Sequence, residues 1–431
     1  MNQKKVINAW CMYDWANSVY SLTITTAIFP IYYEAVTKEA FGSDIVSFFG
    51  FQLPNTVLYS YALSCSFLIV AAILPLLTGI ADYGGRKKSF LKFFASLGSL
   101  SCIMLFFFDG PNIEYGIFCA VLASVGYSGS LVFYDAFLPE IVSQERYDVV
   151  SAKGYSFGYF GSVILLIINL AMIQMPEAFG IPPGTTAAKI SFLMVGLWWI
   201  GFAQIPFRIL PDQVRNQIDS SILTKGYQEI RKVWFSLKDS PHLKKYLTSF
   251  FFYTMGVQTV MYLAPLYGTK VLQLATDKLI ITVLLIQLVA IPGSYGFAKL
   301  SEQKGNKFAL MVMLVIWMFV CCFAYSVTKE IEFYVLATVV GLVMGGIQAL
   351  SRATYSKLIP SNTIDTASYF SFFDVTYNLG VVCGTFSYGL IEHLTGSMRN
   401  STIALALFFV LGIVFLSMVR SPLLNPNQRV S

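Results

Sequence analysis

The chain has 431 residues, of which 56% are hydrophobic, 16% are aromatic and only 12% are charged. Soluble globular proteins carry about 25% charged residues, and the mean hydropathy of this chain is +0.65. This composition excludes an ordinary soluble domain, because the apolar runs are too long and too frequent for soluble cores. It predicts a protein whose main solvent is lipid.

Residues suited to metal or enzyme chemistry are few. His242 and His393 are the only histidines, and both fall in or beside predicted loops. The seven cysteines lie in apolar runs without zinc-type spacing, so we interpret them as small apolar fillers. We therefore expect no metal centre, no cofactor and no enzymatic activity.

Twelve apolar runs are long enough to cross a bilayer as helices, which takes about 20 mostly apolar residues each. The first run follows Lys4 and Lys5 as a signal peptide would, but it contains Asp14 and lacks a convincing cleavage site. We interpret it as a retained span. In chain order the runs cover residues 7–33, 58–80, 89–108, 115–138, 154–175, 189–210, 246–267, 279–300, 308–327, 332–352, 366–390 and 401–419.

The long central segment divides the spans into six and six. The sequence therefore predicts an all-α membrane protein with an N-terminal half at 1–210, a linker at 211–245 and a C-terminal half at 246–431. Apolar residues in the linker recur at near-helical spacing among basic ones. This pattern predicts either an amphipathic helix on the inner membrane surface or a plain solvated linker; its apolar members are Ile222, Ile230, Val233, Trp234 and Leu237.

The distribution of positive charge predicts the orientation in the membrane. Most of the 29 Lys and Arg residues fall in segments that share one side with the N-terminus. Because positively charged loops resist translocation, we expect both termini to be cytoplasmic. The net charge of +6 then reflects topology, and we expect no nucleic-acid partner.

Two motifs recur at nearly one offset, which indicates an internal repeat. The segment ADYGGRKK (81–88) after the second span aligns with SEQKGNKF (301–308) after the eighth. At the ends of the fourth and tenth spans, YDAFLP (134–139) aligns with YSKLIP (355–360). Two parallel six-helix repeats related in this way are typical of transporter halves.

Three carboxylates lie inside predicted spans: Asp14, Asp135 and Asp374. A charge in the bilayer core costs at least about 2.5 kcal/mol, so such residues face polar cavities and are candidates for function. At helical spacing they share faces with other polar residues, which predicts a common cavity. These polar residues are Asn17, Ser18, Ser21 and Thr25 in the first span, Ser124 and Ser128 in the fourth, Ser371, Asn378 and Thr385 in the eleventh, and Gln258, Gln287 and Gln348 elsewhere.

Two interpretations of the three aspartates remain open. In the structural one they cap helices or pair with Arg352, which we place at an inner helix end. In the functional one they bind a proton, Na⁺ or the amine of a substrate. Candidate residues for binding substrate or ion are then Tyr13, Asp14, Asn17, Asp135, Gln258, Gln348, Asp374 and Asn378.

The repeated loop motif predicts a gate on the inner side. Asp82 precedes a glycine turn, where Gly85 permits positive φ, and basic residues follow from Arg86 onward. The carboxylate can face a neighbouring helix N-terminus while the basic residues face phosphate headgroups. The second copy contributes Glu302, Gly305 and Lys307, and we count Arg352 with this gate. Simple anchoring of the topology is the alternative.

These motifs resemble a known family. TGIADYGGRKK (78–88) resembles the signature between spans 2 and 3 of major facilitator transporters, although Thr78 and Tyr83 depart from it. YDWANSVY (13–20), together with FLPE (137–140) and GGIQALSRATYSKLIP (345–360), resembles the autophagy-related vacuole effluxers. Fungal members of that branch export amino acids from the vacuole. The resemblance covers essentially the whole chain.

The resemblance implies a secondary transporter that moves a small polar organic solute by alternating access, with amino acids as the leading class. It implies uniport or coupling to H⁺, with Na⁺ as the other ion to consider. Alternatives are a Na⁺-coupled sugar symporter, a lipid translocase and a membrane-embedded enzyme. We expect a monomer among membrane lipids, in a bacterial inner membrane or else in a vacuolar membrane.

Overall fold

The computed structural model describes residues 2–182, 184–212, 222–360, 363–395 and 397–420. This part of the chain forms fifteen α-helices and one antiparallel hairpin of strands β1 (Ile45–Phe48) and β2 (Phe51–Pro54). The helices are α1 (Lys4–Val19), α2 (Phe29–Phe41), α3 (Asn55–Gly84), α4 (Lys87–Met104), α5 (Ile113–Asp135), α6 (Leu138–Ile141), α7 (Tyr147–Gln174), α8 (Thr186–Ile209), α9 (Ile222–Asp239), α10 (Pro241–Leu272), α11 (Thr276–Lys304), α12 (Asn306–Ser326), α13 (Glu330–Leu358), α14 (Thr366–Thr395) and α15 (Met398–Ser417).

Twelve of these helices build an all-α membrane bundle of two six-helix halves. The first half contains α1, α3, α4, α5, α7 and α8, and the second contains α10 to α15. Nine of the described helices are long and apolar enough to cross a membrane. The other three, α1, α10 and α14, carry Asp14, Gln258 and Asp374 respectively.

The halves meet along two seams. At one seam α3 packs against α14, and at the other α7 packs against α11 and α13. The repeat relates α3 to α11 and α7 to α14, so the two seams are copies of one packing. The bounds of the domains at 1–210, 211–245 and 246–431 stay a prediction, and residues 213–221 of the linker lie outside the described residues.

The first predicted span, 7–33, is not one straight helix. After α1 the chain widens into a π-helical segment, Tyr20–Ala27, and a new helix, α2, then begins. Pro30 explains the break, because proline lacks an N–H and fits only the first turn of a helix. The predicted loop 34–57 consequently contains most of α2 and the hairpin.

Two helices extend beyond the predicted spans because they carry charges inside the protein. We predicted the fifth span to begin at 154, but α7 begins at Tyr147 and includes the buried Asp148. The tenth span continues to Leu358, so Arg352 lies inside α13 and not at its end. Our placement of Arg352 at a helix end is therefore wrong. A charged residue lowers the hydropathy of a predicted span, so the prediction ends the span there. In the folded protein each of these charges lies beside a buried partner of opposite charge, and the helix continues.

Glycines let α11 approach α13 closely. A Cβ atom at Gly293 would collide with the backbone carbonyl of Leu342, and one at Gly345 would collide with the carbonyl of Ala290. Close backbone approach through small residues stabilises helix pairs in membranes, where no hydrophobic force drives them together. Gly296, one helical turn from Gly293, has open space around it.

We expect Gly293→Ala to destabilise the protein by about 1–3 kcal/mol, the usual cost of overpacking. Gly296→Ala is the matched control and should leave stability unchanged or slightly raised, since alanine favours helix. Thermal unfolding in detergent, followed by tryptophan fluorescence, measures both. Equal midpoints for the two variants would contradict this account of the seam.

Candidate functional site

The two halves enclose a cavity of about 250 Å³. We call the end of the bundle where α1 begins and α15 ends the terminal end. The cavity lies toward the opposite end, because its α3 residues, Leu63 and Phe67, are remote from Gly84 at the terminal end. Its polar lining comes from both halves: Ser18, Ser21, Thr25, Ser124, Ser128, Asp135 and Ser162 from the first, and Gln258, Thr282, Gln287, Gln348 and Asp374 from the second.

Tyrosine rings make up much of the remaining lining. Tyr159 donates a hydrogen bond to Oε1 of Gln348 at 2.6 Å, which joins the two halves across the cavity wall. As far as the structure describes it, the lining contains no Lys, Arg or His. The cavity is therefore aromatic, hydrogen-bonding and negatively charged. The tyrosines that line it are Tyr20, Tyr127, Tyr155, Tyr159, Tyr262 and Tyr377.

Among the described residues, Asp374 is the cavity carboxylate for which no ion pair is found. Its Oδ2 accepts a hydrogen bond from Nδ2 of Asn378 at 2.7 Å, one turn along α14. Among the described residues no Lys or Arg forms an ion pair with it. The Oδ1 atom of Asn378 is itself buried without a hydrogen-bond partner. An unpaired carboxylate that faces a cavity inside a membrane protein is a candidate for binding a proton or a cation.

Asp135 and Asp14 share one guanidinium. Arg352 lies 2.9 Å from Asp135 and 3.4 Å from Asp14, and its side chain is only 2% exposed. It also donates to the hydroxyl oxygen of Ser151 at 2.9 Å, and its guanidinium lies 4.3 Å from the ring of Tyr155. This cluster joins helices of both halves at the terminal side of the cavity. It contains one positive charge for two carboxylates.

The structure separates the predicted binding residues into two groups. Asp135, Gln258, Gln348 and Asp374 line the cavity. The others, Tyr13, Asp14, Asn17 and Asn378, are buried outside this lining. Asp14 accepts a hydrogen bond from the hydroxyl of Tyr134 at 2.7 Å, and the Tyr13 ring packs 4.9 Å from the Tyr134 ring.

The first gate motif closes the terminal end through Asp82 and Lys87. The Asp82 carboxylate accepts hydrogen bonds from the backbone N–H groups of Ala367 and Ser368, at the N-terminus of α14. Lys87 is fully buried and pairs with Asp82 at 3.5 Å and with Glu140. Our expectation that the basic residues face lipid headgroups is wrong for Lys87, because carboxylates surround it on the inside.

Arg86 takes no part in these contacts, and its buried Nε atom has no hydrogen-bond partner within the described part of the chain. Gly85 has φ of +62°, and Gly305 in the second copy has φ of +91°. Both turns therefore use the backbone freedom for which glycine was expected there.

The second copy of the gate uses different residues from those we predicted. Glu302 is exposed, and Lys307 donates to the carbonyls of Ser417 and Val419 at the end of α15. The buried carboxylate is Asp148, at the start of α7 in the first half. It receives hydrogen bonds from Ser301 at 3.0 Å, from Asn306 at 2.7 Å and from Lys357 at 2.7 Å.

Sequence reasoning missed Asp148 because its partners lie in the other half. The available signal was the repeat itself. The Asp82 carboxylate binds the N-terminus of α14, so a matching contact was to be expected at the start of α7, the repeat partner of α14. All three charge clusters join the halves at the terminal end, whereas the cavity lies toward the other end. This conformation is therefore closed at the terminal end.

Comparison with solved structures agrees with this architecture. The chain superposes on the transporter FucP in its outward conformation with a TM-score of 0.69 at 12% identity, covering 96% of this chain and 98% of FucP. It superposes on the human organic anion transporter MFSD10 with a TM-score of 0.70 at 10% identity, covering 96% and 100%. The chain therefore has the twelve-helix major facilitator fold of these proteins, with the cavity between its two halves.

Sequence comparison narrows this class to a family. The family model described as "Vacuole effluxer Atg22 like" matches residues 2–422. The MFS-type transporter YxiO of Bacillus subtilis is 34% identical, over 96% of this chain and 94% of YxiO. Autophagy-related protein 22 of Eremothecium gossypii is 22% identical, over 94% and 88%. This chain belongs to the Atg22-like vacuole effluxer family. Its homologues are transporters and not enzymes.

We expect Arg352→Met to destabilise the protein by about 3–5 kcal/mol, because it leaves Asp14 and Asp135 buried without a counter-charge. Adding Asp14→Asn and Asp135→Asn to Arg352→Met should restore most of the thermal midpoint, since the triple variant buries no charge there. A single Arg352→Met variant as stable as the wild type would show that this cluster does not hold the halves together.

Neutralising the carboxylate of Asp148 or of Glu302, at or near the second gate copy, should change the stability of the protein by very different amounts. Asp148→Asn removes the partner of the buried Lys357, so we expect a loss of about 3–5 kcal/mol. Glu302→Gln is the matched control, and at an exposed position we expect a change within about 0.5 kcal/mol. Thermal unfolding of both variants in the same detergent measures the two losses of stability. A larger loss for Glu302→Gln than for Asp148→Asn would restore the original prediction for Glu302.

Proposed function

We propose that this transporter moves a small polar organic solute that carries an amine, with amino acids as the leading class, by proton-coupled alternating access. The observation that carries the proposal is Asp374, a carboxylate on the cavity wall whose described contacts include no cation. A negatively charged carboxylate attracts a proton or an ammonium group. A transporter that binds both at one site can couple the movement of the proton to that of the solute.

The lining favours an amine over an anion. Carboxylates at Asp135 and Asp374 face the cavity; Arg352, outside the lining, pairs with Asp135, and among the described residues no Lys or Arg forms an ion pair with Asp374. Bringing an anion into this site would bury like charges together in a medium of low dielectric constant. An ammonium group instead gains ion pairing with Asp374 and cation–π contact with tyrosine faces. The glutamines supply hydrogen bonds that suit the carboxylate of a zwitterion.

Proton coupling follows from competition for the same negative charges. When all groups are ionised, Arg352 neutralises one of the two carboxylates it contacts, and Asp374 adds another negative charge. A proton that binds Asp374 removes the attraction for an amine, and an amine displaces the proton. Such competition links the two fluxes whenever access alternates.

Alternating access is supported by the placement of the charge clusters. Each includes contacts between the halves, and these break when the halves rock apart at the terminal end, while the cavity stays between them. We propose that the terminal end is cytoplasmic, as the Lys and Arg distribution predicts, and that the present conformation is open toward the other side. A bacterial membrane is favoured over a vacuolar one by the similarity to a Bacillus subtilis relative.

Transport by proteoliposomes under imposed proton gradients of either sign tests the proposal. The panel should contain labelled amino acids and their N-acetylated analogues, which lack the ammonium group. We expect gradient-driven movement of at least one amino acid but of none of the N-acetylated forms. Asp374→Asn should reduce this movement to the level of empty vesicles, because the amide neither binds a proton nor pairs with an amine.

Asp109→Asn is the matched control, since Asp109 is an exposed aspartate outside the cavity, and it should transport as the wild type does. Gradient-driven transport that survives Asp374→Asn would overturn the role of this residue. Movement that requires Na⁺ and ignores pH would favour the sodium-coupled alternative. Movement of sugars but of no amino acid would overturn the proposed substrate class, but it would not contradict the transport role of the protein.

A further inference from the structure

The linker helix α9 is docked onto the first half of the protein. At the closest point the backbones of Gly226 in α9 and Gly79 in α3 touch, and a Cβ atom at Gly79 would collide with the Gly226 carbonyl. Val233 and Leu237 are buried, with exposed fractions of 1% and 7%. Lys225 lies 4.9 Å above the ring of Tyr83, just after the Asp82 gate residue. Val233 and Leu237 of the apolar pattern thus pack against protein, whereas the Trp234 side chain is 51% exposed.

The same helix also contacts the second half at the start of α14. Lys232 donates to Oδ2 of Asp365 at 2.7 Å, and the hydroxyls of Ser236 and Tyr369 lie 2.7 Å apart. The hydrogen bond with Asp365 raises the pKa of Lys232. Asp365 immediately precedes α14, whose N-terminal N–H groups bind Asp82. Helix α9 therefore crosses the seam between α3 and α14 at its terminal end.

The two sets of contacts differ in strength. Those with α3 are backbone-to-backbone and apolar, so they are suited to a permanent attachment. Those with α14 are a few polar contacts and one aromatic contact, in which the Trp234 ring lies 5.9 Å from the Phe372 ring, and the Lys232 side chain is 62% exposed. Partly exposed ion pairs contribute about 0–1 kcal/mol, which permits repeated breaking and re-forming.

We propose that α9 is a brace that holds the seam between α3 and α14 shut at the terminal end and releases α14 each time this end opens. This inference rests on the proposed alternating access. Because α9 packs most closely against α3, with the Gly226 carbonyl against Gly79, it stays with α3 while α14 moves. The strength of the Lys232–Asp365 contact then helps set the balance between the two conformations.

Hydrogen–deuterium exchange of the full chain in lipid nanodiscs tests the brace without any knowledge of the solute. Lys232→Glu places a negative charge beside Asp365, so the closed state should lose stability. We expect exchange in the first turns of α14 to accelerate at least about fivefold, which corresponds to about 1 kcal/mol. The double variant Lys232→Glu with Asp365→Lys restores an ion pair of reversed polarity and should bring exchange back toward the wild-type rate.

Lys238→Glu is the matched control, since Lys238 lies on the same helix and its described contact is with the ring of Phe235. It should leave exchange in α14 unchanged. Equal exchange in the Lys232→Glu and Lys238→Glu variants, or a double variant that is not rescued, would overturn the brace. Accelerated exchange in a protein that transports none of the panel above would keep the brace and overturn the proposed function instead.

Discussion

Compensation of buried charge governs how the two halves are held together. Lys87, Arg352 and Lys357 are each almost fully enclosed, and each meets a carboxylate at the terminal end. A buried ion pair adds little to stability relative to an apolar replacement, but removing one partner is costly. The closed terminal end is therefore not a generic apolar contact. Arg352 and Lys357 pair with carboxylates of the other half, so separating the halves exposes these charges to water, as expected of a gate with two states.

The cavity departs from this rule, and the departure marks where function resides. At the terminal end the described lysine and arginine partners neutralise most of the buried carboxylates, whereas Asp374 faces the cavity with an amide as its neighbour. Arg352 contacts two aspartates, so at the terminal side of the cavity one negative charge is also left over when both carboxylates are ionised. Negative charge that the protein leaves uncompensated is available to a proton or to a cationic group of the cargo.

Much of the fold could be predicted because the relevant signals are local. Apolar runs and the repeated motifs led to the twelve helices and the two halves, and the solved relatives share that fold. The candidate site was predictable only in part. Asp135, Asp374, Gln258 and Gln348 line the cavity, but Asp14 and Glu302 do not have the surroundings that their patterns suggested. Helical phase shows which residues share a face, and it does not show which neighbouring helix covers that face.

The sequence by itself determined the lipid-facing character of the protein, its repeat and the identity of its intramembrane carboxylates, since these depend on composition and short-range periodicity. Tertiary structure alone decided which charges meet. Arg352 reaches Asp14 and Asp135, Lys357 reaches Asp148, and α9 settles on α3, across separations of more than a hundred residues. The physical reason is that a buried charge is tolerated only beside its partner, and the partner is brought there by the packing of the two halves.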